Sequence, residues 1–251
     1  MAGLRDVEVS FMGFGAGCGF RVFRPRSYGK PHRLVQRFVQ CFLAALVFVA
    51  GIGTGPEWAH AQDKPLKIVA FGDSLMAGYQ LPAAAAFPAR LEQALKARGL
   101  AVAITNAGVS GDTASGGLAR VAWSVPDGTN AVILELGAND MLRGVDPKVT
   151  RTALDTIIKT LKSRGIEVLL AGMRAAPNLG PDYQRAFDSI FPDLATRYDL
   201  VFYPFFLDGV AANARYNLRD GLHPNQEGVD VIVGRILPKV EELIARVRTR
   251  R

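Results

Sequence analysis

Ser74, Asp220 and His223 are the residue types of a nucleophilic acyl transfer, a hydroxyl with a base and an acid. Ser74 follows Ile68-Val69-Ala70-Phe71-Gly72-Asp73, an apolar run that reaches a glycine and then delivers an aspartate and a serine. A buried strand that ends in a tight turn holds its next side chain on a rigid support, at the sheet edge where open α/β folds bind ligands. A helix starting just beyond would aim unpaired backbone N–H groups at whatever sits beside the hydroxyl. Such a serine is a nucleophile only if a base takes its proton. Without one, Asp73 and Ser74 are ordinary turn and cap residues.

The chain has three histidines, and two of them, His32 and His60, precede residue 62. His223 is the single imidazole of the remainder, three residues after Asp220. In a turn, that spacing lets the carboxylate accept from Nδ1–H and leaves Nε2 free as a base. Standing alone, Asp220-Gly221-Leu222-His223-Pro224 reads as the entry to a helix with proline in its first turn. Paired with a strand-end serine, it reads as acid and base. Acyl transfer also needs donors for the developing oxyanion. The Ser74 N–H, the Gly108 N–H and the Asn139 side-chain amide all follow apolar runs. Taken singly, Gly108 is equally a turn glycine and Asn139 equally a loop-bracing amide.

The elements that must position these groups follow from periodicity. Continuous apolar runs at 66–71, 102–105, 131–136, 167–173 and 200–203 predict five strands buried on both faces. Amphipathic segments at 87–98, 114–123, 147–164, 183–198 and 225–247 predict the helices between and after them, with Gly99 and Gly165 as stops. Strands alternating with helices in this way predict a three-layer α/β/α sandwich around a parallel sheet. Polar small-residue loops at 72–75, 106–113 and 137–140 follow successive strands, so they converge on one edge of that sheet.

Composition narrows the function class. The net charge is +7, but seven Lys/Arg against three Asp/Glu precede Gln62, leaving 23 against 20 in the rest. The main domain is thus nearly balanced, and nucleic acid is not an expected partner. Arg33 and Arg37, the apolar run 38–52 and Ala59-His60-Ala61 form the three parts of a secretory signal peptide. The run is short for a membrane span. No Arg-Arg pair precedes it, which favours the general export route over the twin-arginine one. The expectation is a leader over 1–61, cleavage after Ala61, a domain over 62–251, and a periplasmic or secreted protein with no stable membrane anchor. Both cysteines, Cys18 and Cys41, fall in the leader. The mature chain then has no disulfide and no thiolate. One histidine leaves only carboxylates for a metal, so neither metal nor cofactor is expected.

Gly72-Asp73-Ser74-Leu75, Gly108 within 106–113, Gly137-Ala138-Asn139-Asp140 and Asp220-Gly221-Leu222-His223-Pro224 resemble the four blocks of the GDSL/SGNH hydrolases, in order and in spacing. Ser110-Gly111-Asp112-Thr113, Glu135-Leu136-Gly137, Leu142-Arg143-Gly144 and Pro204-Phe205-Phe206 resemble the thioesterase I / lysophospholipase / arylesterase branch, and the similarity spans 66–246. This resemblance implies a flavodoxin-like five-stranded sheet of order 2-1-3-4-5. It implies Ser74 as nucleophile, His223 as base, Asp220 as acid, and Ser74, Gly108 and Asn139 as oxyanion donors. It also implies a mobile loop over 141–146 that shifts when an acyl chain binds, with Met141, Leu142 and Arg143 as substrate-binding residues. One departure is Ala138, where a close relative often has glycine; only the loop's backbone freedom is affected.

The expected reaction is hydrolysis of small-molecule acyl esters or thioesters by a monomer. Met141, Leu142, Leu179 and Phe206 are placed either to line an acyl groove or to fill the core. A carbohydrate acetylesterase and a non-catalytic binding module on the same scaffold are the competing readings. The module reading gives no reason for a complete triad and three donors.

Overall fold

The computed structural model describes residues 64–250. The expected leader, its cleavage after Ala61 and both cysteines lie outside the described residues. In chain order the elements are β1 (Leu66–Gly72), α1 (Ser74–Ala77), a 3₁₀ turn (Ala83–Ala85), α2 (Phe87–Ala97), β2 (Val102–Gly108), α3 (Ala114–Ser124) and β3 (Ala131–Glu135). They continue with α4 (Ala138–Leu142), α5 (Pro147–Ser163), β4 (Glu167–Ala171), a second 3₁₀ turn (Pro177–Leu179), α6 (Pro181–Asp188), α7 (Ile190–Tyr198), β5 (Val201–Tyr203) and α8 (Gln226–Thr249).

The five strands form one parallel sheet in the order β2-β1-β3-β4-β5, as expected. Every residue of β3 and β4 is buried, and only Lys67 of β1 is exposed. Sequences this apolar suit strands covered on both faces. α8 packs on β3, β4 and β5 and against α2; α3 packs against α5, which with α7 covers β4. Phe71, Ile133, Leu134 and Leu169 are fully buried between these layers. Each such side chain contributes roughly 1.5–3 kcal/mol by leaving water.

Three elements differ from the expectation. β2 runs on to Gly108 because Asn106, Ala107 and Gly108 keep pairing with Ala70, Phe71 and Gly72, although their polar, small character reads as loop. The single helix expected at 183–198 is two, α6 and α7, meeting at Ser189. Pro192 has no N–H for the Asp188 carbonyl one turn earlier, which breaks the ladder there. Residues 138–142, read as loop, form the short helix α4. Gly137 takes the positive φ of 117° that starts it, so Ala138 needs no glycine freedom and the departure noted at that position is harmless.

Candidate functional site: a serine at the end of β1

β1 and α1 meet at Gly72-Asp73-Ser74. A side chain on Gly72 would strike the Glu135 carbonyl and the Met76 side chain, so only glycine allows the strand to turn this close to β3. Asp73 caps α1, with Oδ1 accepting from the Leu75 N–H at 3.0 Å. Ser74 is the first residue of α1, and its carbonyl accepts from the N–H groups of Gly78 and Tyr79. Ser74 is thereby fixed at the sheet edge, 8% exposed.

The second part comes from the chain before α8. Asn217 bridges to Pro224, and the Leu218 N–H donates to the His223 carbonyl at 2.7 Å. Gly221, at φ 71°, makes the turn between them. Within it, Asp220 Oδ1 accepts from the N–H groups of Leu222 (2.9 Å) and His223 (3.0 Å), and Oδ2 lies 2.7 Å from His223 Nδ1. His223 Nε2 lies 2.9 Å from Ser74 Oγ. Desolvation opposes the charge on Asp220, but the His223 and Leu222 N–H groups and the imidazole outweigh it and hold the carboxyl down at about 2. A carboxylate only accepts, so it keeps the imidazole proton on Nδ1 and leaves Nε2 to accept from the hydroxyl. The Tyr79 ring lies against the other side of the imidazole, with centroids 4.4 Å apart.

The expected oxyanion donors stand around Ser74 in different states. The Ser74 N–H opens α1, where no intrahelical acceptor exists. Asn139, in α4, donates from Nδ2 to Asp73 Oδ2 at 3.0 Å and lines the same cavity as Ser74, so its second amide hydrogen remains. The Gly108 N–H donates to Asn106 Oδ1 at 2.9 Å, so an oxyanion must share or displace that acceptor. Gly108 must be glycine, because a side chain there would run into the Ala77 backbone.

A cavity of about 310 Å³ opens from Ser74 and Asn139 between α4 and the loops after β4 and β5. Met141, Leu142, Met173, Pro177, Phe205 and Leu207 make its walls apolar, and Arg174 lies at it over the Phe205 ring. Of the sequence-expected substrate residues, Met141 and Leu142 line it. Arg143 does not; its guanidinium donates to the Gly111 carbonyl at 2.8 Å. Phe206 is core, packed edge-on to Phe87, and its neighbours Phe205 and Leu207 face the cavity instead. Tyr79, Met173 and Leu222 were not legible as site residues. Nothing in their local sequence separates them from core or loop.

Two buried ionisable side chains lie behind the turn. Arg120, on α3, pairs with Asp112 at 2.5 Å, donates to the Gly72 and Ala107 carbonyls at 2.8 and 2.9 Å, and covers the Phe71 ring. Glu135, the last residue of β3, is fully buried beside Asp73.

Residues 70–231 match the GDSL-like Lipase/Acylhydrolase family. The chain is 40% identical over 162 residues to an arylesterase of Vibrio mimicus, covering 64% of this chain and 81% of that one. It is 35% identical over 178 residues to the thioesterase 1/protease 1/lysophospholipase L1 of Escherichia coli K12, covering 70% and 84%. Among solved structures, AlinE4, an SGNH-hydrolase family esterase, aligns with a TM-score of 0.61 at 45% identity, covering 71% of this chain and 96% of that one. With its sheet order and its four sequence blocks, the chain belongs to the GDSL-like lipase/acylhydrolase family, and its activity is that of a GDSL esterase.

Proposed function

We propose that the protein hydrolyses carboxylic esters and thioesters of acyl groups through a covalent acyl-enzyme on Ser74. The observation that carries this reading is the continuous chain Ser74 Oγ, His223 Nε2, His223 Nδ1, Asp220 Oδ2, with links of 2.9 and 2.7 Å. His223 takes the hydroxyl proton as Oγ attacks the acyl carbonyl, and Asp220 stabilises the imidazolium that forms. The Ser74 and Gly108 N–H groups and the Asn139 amide hold the oxyanion. The imidazolium then protonates the departing alcohol or thiol, and water repeats the sequence on the acyl-enzyme. Ser74→Ala is expected to leave at most about a thousandth of wild-type turnover.

The apolar cavity supports an acyl chain over a sugar, since its walls offer few partners for hydroxyl groups. Its volume stands at the small end of ligand pockets. A p-nitrophenyl ester series from acetate through octanoate to palmitate, with an acyl-CoA and a lysophospholipid, tests this. Acyl chains of short to middle length are expected to give the highest kcat/KM. Activity confined to acetylated sugars refutes it.

The same reading includes export. The tripartite pattern in residues 1–61 supports a cleaved leader and a periplasmic or secreted domain from Gln62. No helix among the described residues is long and apolar enough to cross a membrane. N-terminal sequencing of the exported protein is expected to begin at Gln62; a cytoplasmic product that retains residues 1–61 contradicts it.

A further inference from the structure

Glu135 is a carboxyl group that the reaction above does not use, in a place where a charge is costly. It is fully buried at the end of β3. Its Oε2 accepts from the Asp73 N–H at 3.4 Å, and its Oε1 is buried without a hydrogen-bond partner. Asp73 is also fully buried, and the contact of its N–H with Glu135 Oε2 sets the two carboxyl-bearing residues side by side in the same dry space. Two neighbouring carboxyl groups in a dry interior are not both charged at neutral pH. One proton must sit between them.

The surroundings decide which group holds it. Asp73 Oδ1 accepts from the Leu75 N–H and Oδ2 from the Asn139 amide, so two donors favour its charge. Glu135 has only the long contact to the Asp73 N–H. Burial and then the Asp73 charge push Glu135 well above the ordinary carboxyl range, while burial raises Asp73 only to about 6 against its donors. The other titratable or charged groups facing the pair are His223 across Ser74 and Arg120 on the Gly72 carbonyl. Asp140 on α4 is occupied by the Ala114 N–H and the Thr150 hydroxyl.

We propose that Glu135 is a positioning residue that stays protonated and donates to Asp73, so that Asp73 remains a carboxylate able to hold the Asn139 amide with its second N–H free for the oxyanion. Glu135 touches no substrate and acts through Asp73 and Asn139. Without its proton, two like charges would meet behind the turn. Without its donor, Asp73 would take a proton itself and Asn139 would lose a charged acceptor. This inference rests on the proposed acyl transfer at Ser74.

The test compares full-length wild type, Glu135→Gln and Glu135→Leu. Gln can donate to Asp73 and accept from its N–H; Leu can do neither. Glu135→Gln is expected to keep kcat within about threefold. Glu135→Leu is expected to lower kcat about 30-fold with KM within about twofold, the pattern of a lost transition-state contact. Unchanged kcat in Glu135→Leu, or an equal loss in Glu135→Gln, overturns the proposal. Infrared spectroscopy provides a reading that does not need activity or the Leu variant to fold. At neutral pH wild type is expected to show the C=O stretch of a buried carboxylic acid, and Glu135→Gln to lack it; absence of that band in wild type overturns the proposal. A wild-type protein without esterase activity refutes the reaction itself and leaves the infrared result to decide where the proton sits.

Discussion

Arg120 Nη2 donates to the Gly72 carbonyl at 2.8 Å, so a buried guanidinium on α3 holds the end of the strand that presents Ser74. The same group ties the Ala107 carbonyl on β2 and the Asp112 carboxylate in the loop beyond it. The planar fork suits three acceptors in different directions, which an ammonium on a flexible stem cannot match. Removing it leaves the half-buried Asp112 carboxylate without its cation and takes a donor from each strand-end carbonyl, although the Gly72 carbonyl keeps the Val109 N–H. Arg120→Ala is expected to lower unfolding free energy by about 3–5 kcal/mol, and Arg120→Lys to recover only part of that. Urea denaturation measures it, and a loss below about 1 kcal/mol would show that the contacts contribute little.

The proposed oxyanion donors are not equivalent. Asn139 keeps a free amide hydrogen beside Ser74, whereas the Gly108 N–H is occupied by Asn106 Oδ1. Asn139→Ala is expected to reduce kcat on the order of a hundredfold, with KM little changed. Asn106→Ala removes a competitor for the Gly108 N–H and is expected to change kcat by less than about fivefold. Steady-state kinetics on one ester decides. Equal losses in the two variants would mean that Asn106 itself contacts the transition state.

The buried carboxyl pair gives stability a particular pH dependence. Burial raises Asp73 from 3.8 to about 6, so between those values the folded chain holds a proton that the unfolded chain has released. The stability contribution of this group therefore falls as pH rises through that window. Asp220 runs the other way: hydrogen bonds overcome its desolvation and hold it at about 2, so its contribution is present above 3.8 and is lost as pH falls toward about 2. Unfolding curves of wild type and Asp73→Asn across this range isolate the first effect. Wild type is expected to lose ground to the variant as pH rises. A constant difference would show that Asp73 does not titrate there.

Much of this arrangement was legible in the sequence because it rests on patterns of fixed period. Apolar runs such as 131–136 announce strands buried on both faces, and three glycine-bearing loops after successive strands must meet at one edge. A lone imidazole three residues from a carboxylate narrows the base to one position. What stayed hidden depends on neighbours distant in the chain. Arg120 reads as an exposed helix charge, yet the ends of β1 and β2 turn their carbonyls toward it. Glu135 reads as a polar residue closing a strand, and only the Gly72 turn packed on β3 shows that it is sealed. Arg143, expected at the substrate, instead meets the Gly111 carbonyl, because α4 ends just before it and directs the side chain toward that loop.

The reactivity of one hydroxyl decides the whole mechanism. Incubation of the protein with a fluorophosphonate, followed by mass spectrometry of its peptides, is the direct measurement. A single phosphonyl adduct on Ser74 is predicted, absent from Ser74→Ala and much slower to form in His223→Ala. An unlabelled Ser74 in active protein, or an adduct on another residue that abolishes turnover, would contradict the mechanism.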